Sequence, residues 1–178
     1  MGHLMWDNIF RHNKKKSTVA SALKSNILFS DLNPLELQLV QNIVNVRTYL
    51  SGEHIFHQGE AGVGMYIIVS GSVDIMVDEP ATASQEAKSS LITRLNSGDF
   101  FGEIALVEET GRRTATAIAR EETLLIGFFK PDLIEVVNRN PNAGVKILMN
   151  LGKVLGTRLA ETTAAIKALK LKGEHRAN

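Results

Sequence analysis

The residues best equipped for chemistry lie between Phe100 and Ala117. Phe100-Phe101 reads as the end of a buried strand, and Gly102 follows where the backbone can bend or approach a ligand closely. Glu103 to Val107 have the composition of one helical turn, whose first N–H groups favour an anion. Arg112 and Arg113 come next, ahead of a β-like run that begins at Thr114. A carboxylate, backbone N–H groups, a guanidinium and a hydroxyl gathered here suit a small ligand carrying one phosphate and a sugar diol. Arginine takes phosphate oxygens in a forked hydrogen bond. A carboxylate only accepts, which suits a sugar hydroxyl.

The elements around this stretch must present it. Short strands separated by glycine turns run from Val46 to Phe129, punctuated at Ser51-Gly52, Gly59 to Gly64, Ser70-Gly71-Ser72 and Ser97-Gly98-Asp99. Val73, Ile75 and Val77 alternate with Asp74, Met76 and Asp78, so one face is buried and the other wet. Glu79 to Ser90 is polar and small and reads as a loop, and Leu91 to Leu95 as the next strand. Leu124 to Phe129 is a continuous apolar run, the mark of a strand covered on both faces. About eight strands at this spacing imply a small barrel or roll.

Helices flank the strands. Trp6 to Asn26 reads as a short helix, a basic break at Arg11 and Lys14 to Lys16, and a second helix capped by Ser17 or Thr18. Asn33-Pro34 starts another, with Leu35, Leu37, Leu39, Val40 and Ile43 as its stripe. Pro131-Asp132 opens a short helix through Val137, and Asn140-Pro141 opens a long one toward Lys172. In that helix Leu148, Leu155, Thr162 and Leu169 fall at heptad spacing, with Val145, Leu159 and Ile166 beside them. A band this wide predicts contact with both the strands and a second copy of the helix.

Composition narrows the function. The 178 residues are 44% hydrophobic and 22% charged with a net charge of +1, values of an ordinary globular protein with no bias toward nucleic acid. The absence of cysteine excludes disulfides, thiolate catalysis and cysteine-based zinc sites. No apolar stretch reaches the roughly 20 residues a bilayer requires, and no signal-peptide core is seen. A cytoplasmic protein without a membrane partner is expected. His54 and His57 with Glu53 and Glu60 need not converge on a metal, and the Glu108-Glu109 pair has no nucleophile beside it, so neither a metal site nor an enzyme is expected.

Phe101-Gly-Glu-Ile-Ala-Leu106 followed by Arg113-Thr-Ala115 resembles the phosphate-binding cassette of the cyclic nucleotide-binding domain family, which includes the catabolite activator protein and the regulatory subunits of cyclic AMP-dependent kinase. Gly52-Glu-His-Ile-Phe56, Gly59-Glu60 and Met65 to Ile75 resemble the family's earlier strands and turns in the same order. The likeness covers roughly residues 28 to 170. It implies an α+β, mostly β fold, an eight-stranded antiparallel β-roll (jelly-roll-like) over about 45–129. N-terminal helices flank it, with C-terminal helices at 130–172. Residues 1–26 form a helical and basic segment, 27–172 the binding domain and 173–178 a polar tail.

It also implies a ligand, cyclic AMP ahead of cyclic GMP, and no other cofactor. Glu103 is expected on the ribose and Arg113 on the phosphate. Arg112 has the spacing of the kinase branch, but the Thr114-Ala115 that follows selects Arg113. Thr114 adds a hydroxyl that also fits guanine. Gly102, Ile104 and Ala105 supply backbone, and Val73, Ile75 and Ile92 face the roll interior near the base. Leu155 and Leu159 are the candidates to cover the base. Few residues follow Leu171, leaving no room for a helix-turn-helix, so DNA is not expected as a partner. The expected protein is a stand-alone receptor, dimeric through the long helix, that regulates an unidentified protein. Its rival is a roll that has lost its ligand and serves for dimerisation or docking.

Overall fold

The computed structural model describes residues 17–79, 88–108 and 111–174, with side chains to residue 170. The proposed first helix and basic break before residue 17 lie outside these residues. Eight strands form two antiparallel four-stranded sheets. The first contains β1 (Asn45–Tyr49), β8 (Thr123–Phe129), β3 (Gly64–Ser70) and β6 (Phe100–Phe101), in that order across the sheet. The second orders β2 (His54–Phe56), β7 (Thr116–Ala119), β4 (Ser72–Glu79) and β5 (Lys88–Asn96). The fold is the expected roll. The 79–90 loop is shorter than its polar composition suggests, because β4 runs to Glu79 and β5 starts at Lys88.

Two apolar layers result. Tyr49, Ile68, Val73, Phe101, Ala117, Ala119 and Leu125 fill the space between the sheets. On the other face of the first sheet, Met65, Ile67, Ile126 and Phe128 meet the helices. Strand β8 thus buries alternate side chains in opposite layers, which is why its sequence is apolar without a break.

The helical layer comprises α1 (residues 17–25), α2 (Pro34–Ile43), α3 (Lys130–Arg139) and α4 (Pro141–Glu174). Asn33 caps α2 by accepting from the N–H groups of Leu35 and Glu36, while the Glu36 carboxylate accepts from the Asn33 N–H. Val40 is buried in this helix, but Leu35 is 79% exposed and so falls outside the packed stripe. Helix α4 lays Ala143, Ile147, Leu151 and Val154 on the core, at the spacing of one helix face.

Glu36 links the two ends of this layer. Its side chain is buried, and Lys146 of α4 donates to both carboxylate oxygens at 3.0 and 2.7 Å. The hydrogen bond from Lys146, then that from the Asn33 backbone, holds this carboxyl below its ordinary 4.5. A group lowered in the folded state stabilises fully above its unfolded value and loses that contribution as pH falls through its folded value. Glu36→Ala is therefore expected to lower unfolding free energy by about 1–3 kcal/mol at about pH 7, with the difference from wild type shrinking below about pH 4. Urea denaturation at both pH values measures it; an unchanged midpoint at neutral pH would discount the link.

Candidate functional site

Between the roll and the middle of α4, at Arg158, lies a cavity of about 300 Å³, the size of a small-molecule site. Its floor is built from the stretch singled out by sequence. Gly102 takes φ +78°, a left-handed conformation open to glycine, and turns the chain from β6 into a single 3₁₀ turn over Glu103–Leu106. A Cβ on Gly102 would lie 2.5 Å from Arg113 Nη1, so this residue also makes room for the guanidinium.

Glu103 is 1% exposed and Arg113 7% exposed, and both line the cavity. They do not pair with each other. Glu103 Oε1 accepts from Arg158 Nη1 at 2.5 Å, while Oε2 has no hydrogen-bond partner. Arg113 donates through Nη1 to the Gly102 carbonyl at a long 3.5 Å, and its Nε is unpartnered. Burial pushes the Arg113 guanidinium below its ordinary value, against Tyr66, Glu60 and Glu103, which favour the charged form. A buried carboxylate oxygen and a buried guanidinium N–H are thus left without partners on two residues that line one cavity, a condition that calls for explanation and that a ligand can supply.

The other sequence-chosen residues divide. Ile104, Ala105, Thr114, Ala115 and Ile75 line the cavity with Gly102, Glu103 and Arg113. The Ala105 N–H is engaged by the Gly102 carbonyl at 3.2 Å. Val73 faces the interior but is packed wholly within the intersheet core. Ile92 does not face the interior; it is 62% exposed. The β4–β5 ladder pairs Ile75 with Thr93 and Met76 with Leu91, so Ile92 is the extra residue of a bulge. Thr93 and Leu95 line the cavity from that strand in its place. Arg112, which also lines the cavity, donates to the Gly59 carbonyl at 2.7 Å.

Arg158 was not anticipated. It continues the buried row Ile147, Leu151, Val154 of α4 by one more turn, so a cation at that position needed an acidic partner inside. Besides Glu103 it reaches the Phe100 carbonyl at 3.3 Å and lies 5.1 Å from the Phe100 ring centre. Of the two residues expected to cover the base, Leu155 packs against the core and Leu159 is 68% exposed. The His54 and His57 rings stack at 4.3 Å, and no group of three or more potential metal ligands occurs among the described residues.

The sequence and fold have counterparts among known proteins. The family model of the cyclic nucleotide-binding domain matches residues 46–140. The cyclic AMP receptor protein of Thermus thermophilus is 33% identical over 147 residues, 83% of this chain and 63% of that protein. The cGMP-dependent protein kinase of Plasmodium berghei is 32% identical over 129 residues, 70% of this chain and 14% of the kinase. The crystal structure of the Thermus thermophilus catabolite activator protein superposes with a TM-score of 0.70 at 30% identity, over 82% of this chain and 63% of that one. The chain thus spans less than two thirds of the length of these relatives. With the family model covering more than half of its residues, the chain belongs to the cyclic nucleotide-binding domain family.

Proposed function

We propose that this protein is a non-enzymatic receptor for a cyclic mononucleotide, cyclic AMP ahead of cyclic GMP, acting in the cytoplasm. The observation that carries the reading is that Glu103 and Arg113, buried and each with an unpartnered polar atom (Oε2 and Nε), line one cavity without pairing with each other. The exocyclic phosphate oxygens take the Arg113 donors and the Thr114 hydroxyl. The ribose hydroxyl donates to Glu103, with Arg158 alongside. The base lies toward Ile75, Thr93 and Leu95 on β4 and β5. Relatives named for cyclic AMP and for cyclic GMP both align here. The apolar strand wall, with Thr93 as its polar group, favours adenine over the more polar guanine.

Binding becomes a signal because Arg158 belongs to α4 while Glu103 belongs to the 3₁₀ turn. A ligand that competes for or adds to this contact changes how α4 sits on the roll, to the extent of its differential affinity for the two arrangements. The outer face of α4 is the surface that carries the change onward. Val145, Met149 and Leu159 are exposed along it, and Gly152 and Gly156 have open space above them. A second copy of α4 covers this face in the proposed homodimer, which then acts on a protein partner.

Calorimetric titration of nucleotide-free protein with cyclic AMP and cyclic GMP tests the receptor reading. Arg113→Ala removes a charge-assisted phosphate contact and is expected to weaken binding about 10- to 100-fold. Arg112→Ala, whose side chain serves the Gly59 carbonyl, is expected to change affinity less than about threefold. The reverse ranking would shift the phosphate to Arg112. Folded protein silent to both nucleotides would leave the docking module as the better reading.

The dimer has its own test. Leu159→Asp places a charge on the outer face without touching the core. Light scattering is expected to show a dimer for wild type and a monomer for the variant, while an unchanged mass removes α4 from the interface.

A further inference from the structure

Arg113 sits on an aromatic surface. Its guanidinium carbon is 4.0 Å from the ring centre of Phe56 and 5.9 Å from that of Tyr66. Phe56 is held in turn by Tyr66 at 6.0 Å and Phe101 at 5.8 Å between ring centres. Tyr66 stacks on Phe101 at 5.5 Å and meets Phe129 edge-on at 5.8 Å. These rings come from β2, β3, β6 and β8, so the shelf is anchored in both sheets.

The arrangement solves a specific problem. A buried guanidinium without compensation is costly, and the ordinary remedy is a carboxylate partner. A carboxylate in bonding contact would occupy the donors that a phosphate must use, and the ligand would have to displace it. Among the described residues Arg113 has no such ion pair, and Glu103 is turned to Arg158 instead. A ring face attracts the cation through its quadrupole while leaving the N–H donors, which lie in the guanidinium plane, available. We infer that Phe56, backed by Tyr66 and Phe101, is a positioning residue that holds the Arg113 guanidinium charged and aimed, in place of a carboxylate that would compete with the ligand's phosphate. This assignment rests on the cyclic nucleotide reading of the cavity.

The test uses Phe56→Leu, which keeps apolar bulk and removes the π face, and Phe56→Tyr, which keeps the face. In the ligand-free protein the Arg113 Nε–H proton resonance, assigned by its loss in Arg113→Lys, is expected upfield through the Phe56 ring current. It should move downfield in Phe56→Leu and stay upfield in Phe56→Tyr. By calorimetry Phe56→Leu is expected to weaken cyclic AMP binding about 3- to 30-fold, with Phe56→Tyr near wild type. In an Arg113→Ala background Phe56→Leu should cost nothing further, because the shelf then has nothing to hold. A full, additive loss in that background would mean that Phe56 touches the ligand itself, and would overturn the assignment. So would an unshifted resonance in wild type. Wild type silent to both nucleotides would overturn the receptor reading and the phosphate-holding role with it, whereas binding by wild type with no effect of Phe56→Leu would overturn the shelf alone. Should Phe56→Leu fail to fold, Phe56→Met carries the same comparisons.

Discussion

A carboxylate and a guanidinium buried in one cavity without pairing is the constraint from which the rest of this structure follows. Opposite charges in a space shielded from water attract strongly, and the simplest outcome would be a closed Glu103–Arg113 pair. Each is diverted instead. Arg158 takes one oxygen of Glu103, and the Phe56 and Tyr66 rings lie under Arg113. The left-handed turn at Gly102 sets the two side chains on the same floor and leaves no Cβ in the path of the guanidinium. A site kept open in this manner retains hydrogen-bonding capacity for a ligand at the cost of leaving buried polar atoms unsatisfied.

The long helix is where that local chemistry meets the rest of the molecule. Its inner row supplies Lys146 to Glu36 of α2, then apolar contacts through Val154, then Arg158 to Glu103. Two ion pairs about three turns apart therefore join α4 to the N-terminal helices on one side and to the cavity on the other. Each has one buried carboxylate and one partly exposed cation. In both, the cation can be solvated more easily than its partner, so movement of α4 strands the carboxylate and not the helix. A ligand hydroxyl donated to Glu103 would compensate such a loss at the cavity, while Glu36 retains the N–H of Asn33.

Much of this was legible in the sequence, for identifiable reasons. The two layers on either side of β8 follow from an unbroken apolar run, and the Asn33–Glu36 cap from residue types at fixed spacing. Glu103, Arg113 and Gly102 were readable because their chemistry is local: a turn, an acid and a base close together in the chain. Ile92 was misplaced because it was chosen for its apolar type: alternation along β5 puts Thr93 on the side of Leu95 and Ile92 on the opposite face, and the bulge opposite Ile75 and Met76 then leaves Ile92 without a cross-strand partner. Arg158 and Phe56 were missed for a different reason. Their roles depend on partners 55 residues away in the first case and on the opposite sheet in the second, and no local pattern encodes such distances.

The same distinction explains how the outer face of α4 should be read. Its inner row ends in Arg158, which meets Glu103 at the cavity, whereas the opposite face carries Val145, Met149 and Leu159 exposed. In the proposed receptor the ligand would act on the helix through the first face, which leaves the second for the proposed homodimer. The glycines at 152 and 156 lie in the stretch just before Arg158. Glycine lowers helix stability there by roughly 1 kcal/mol each relative to alanine. Val154 and Leu155 are the last core contacts of α4, and past them Arg158 is the side chain that still ties the helix to the roll, since residues 159–170 are exposed. In the proposed receptor a change at Glu103 would therefore reach α4 through Arg158, beyond the turns packed on the roll through Ile147 and Leu151.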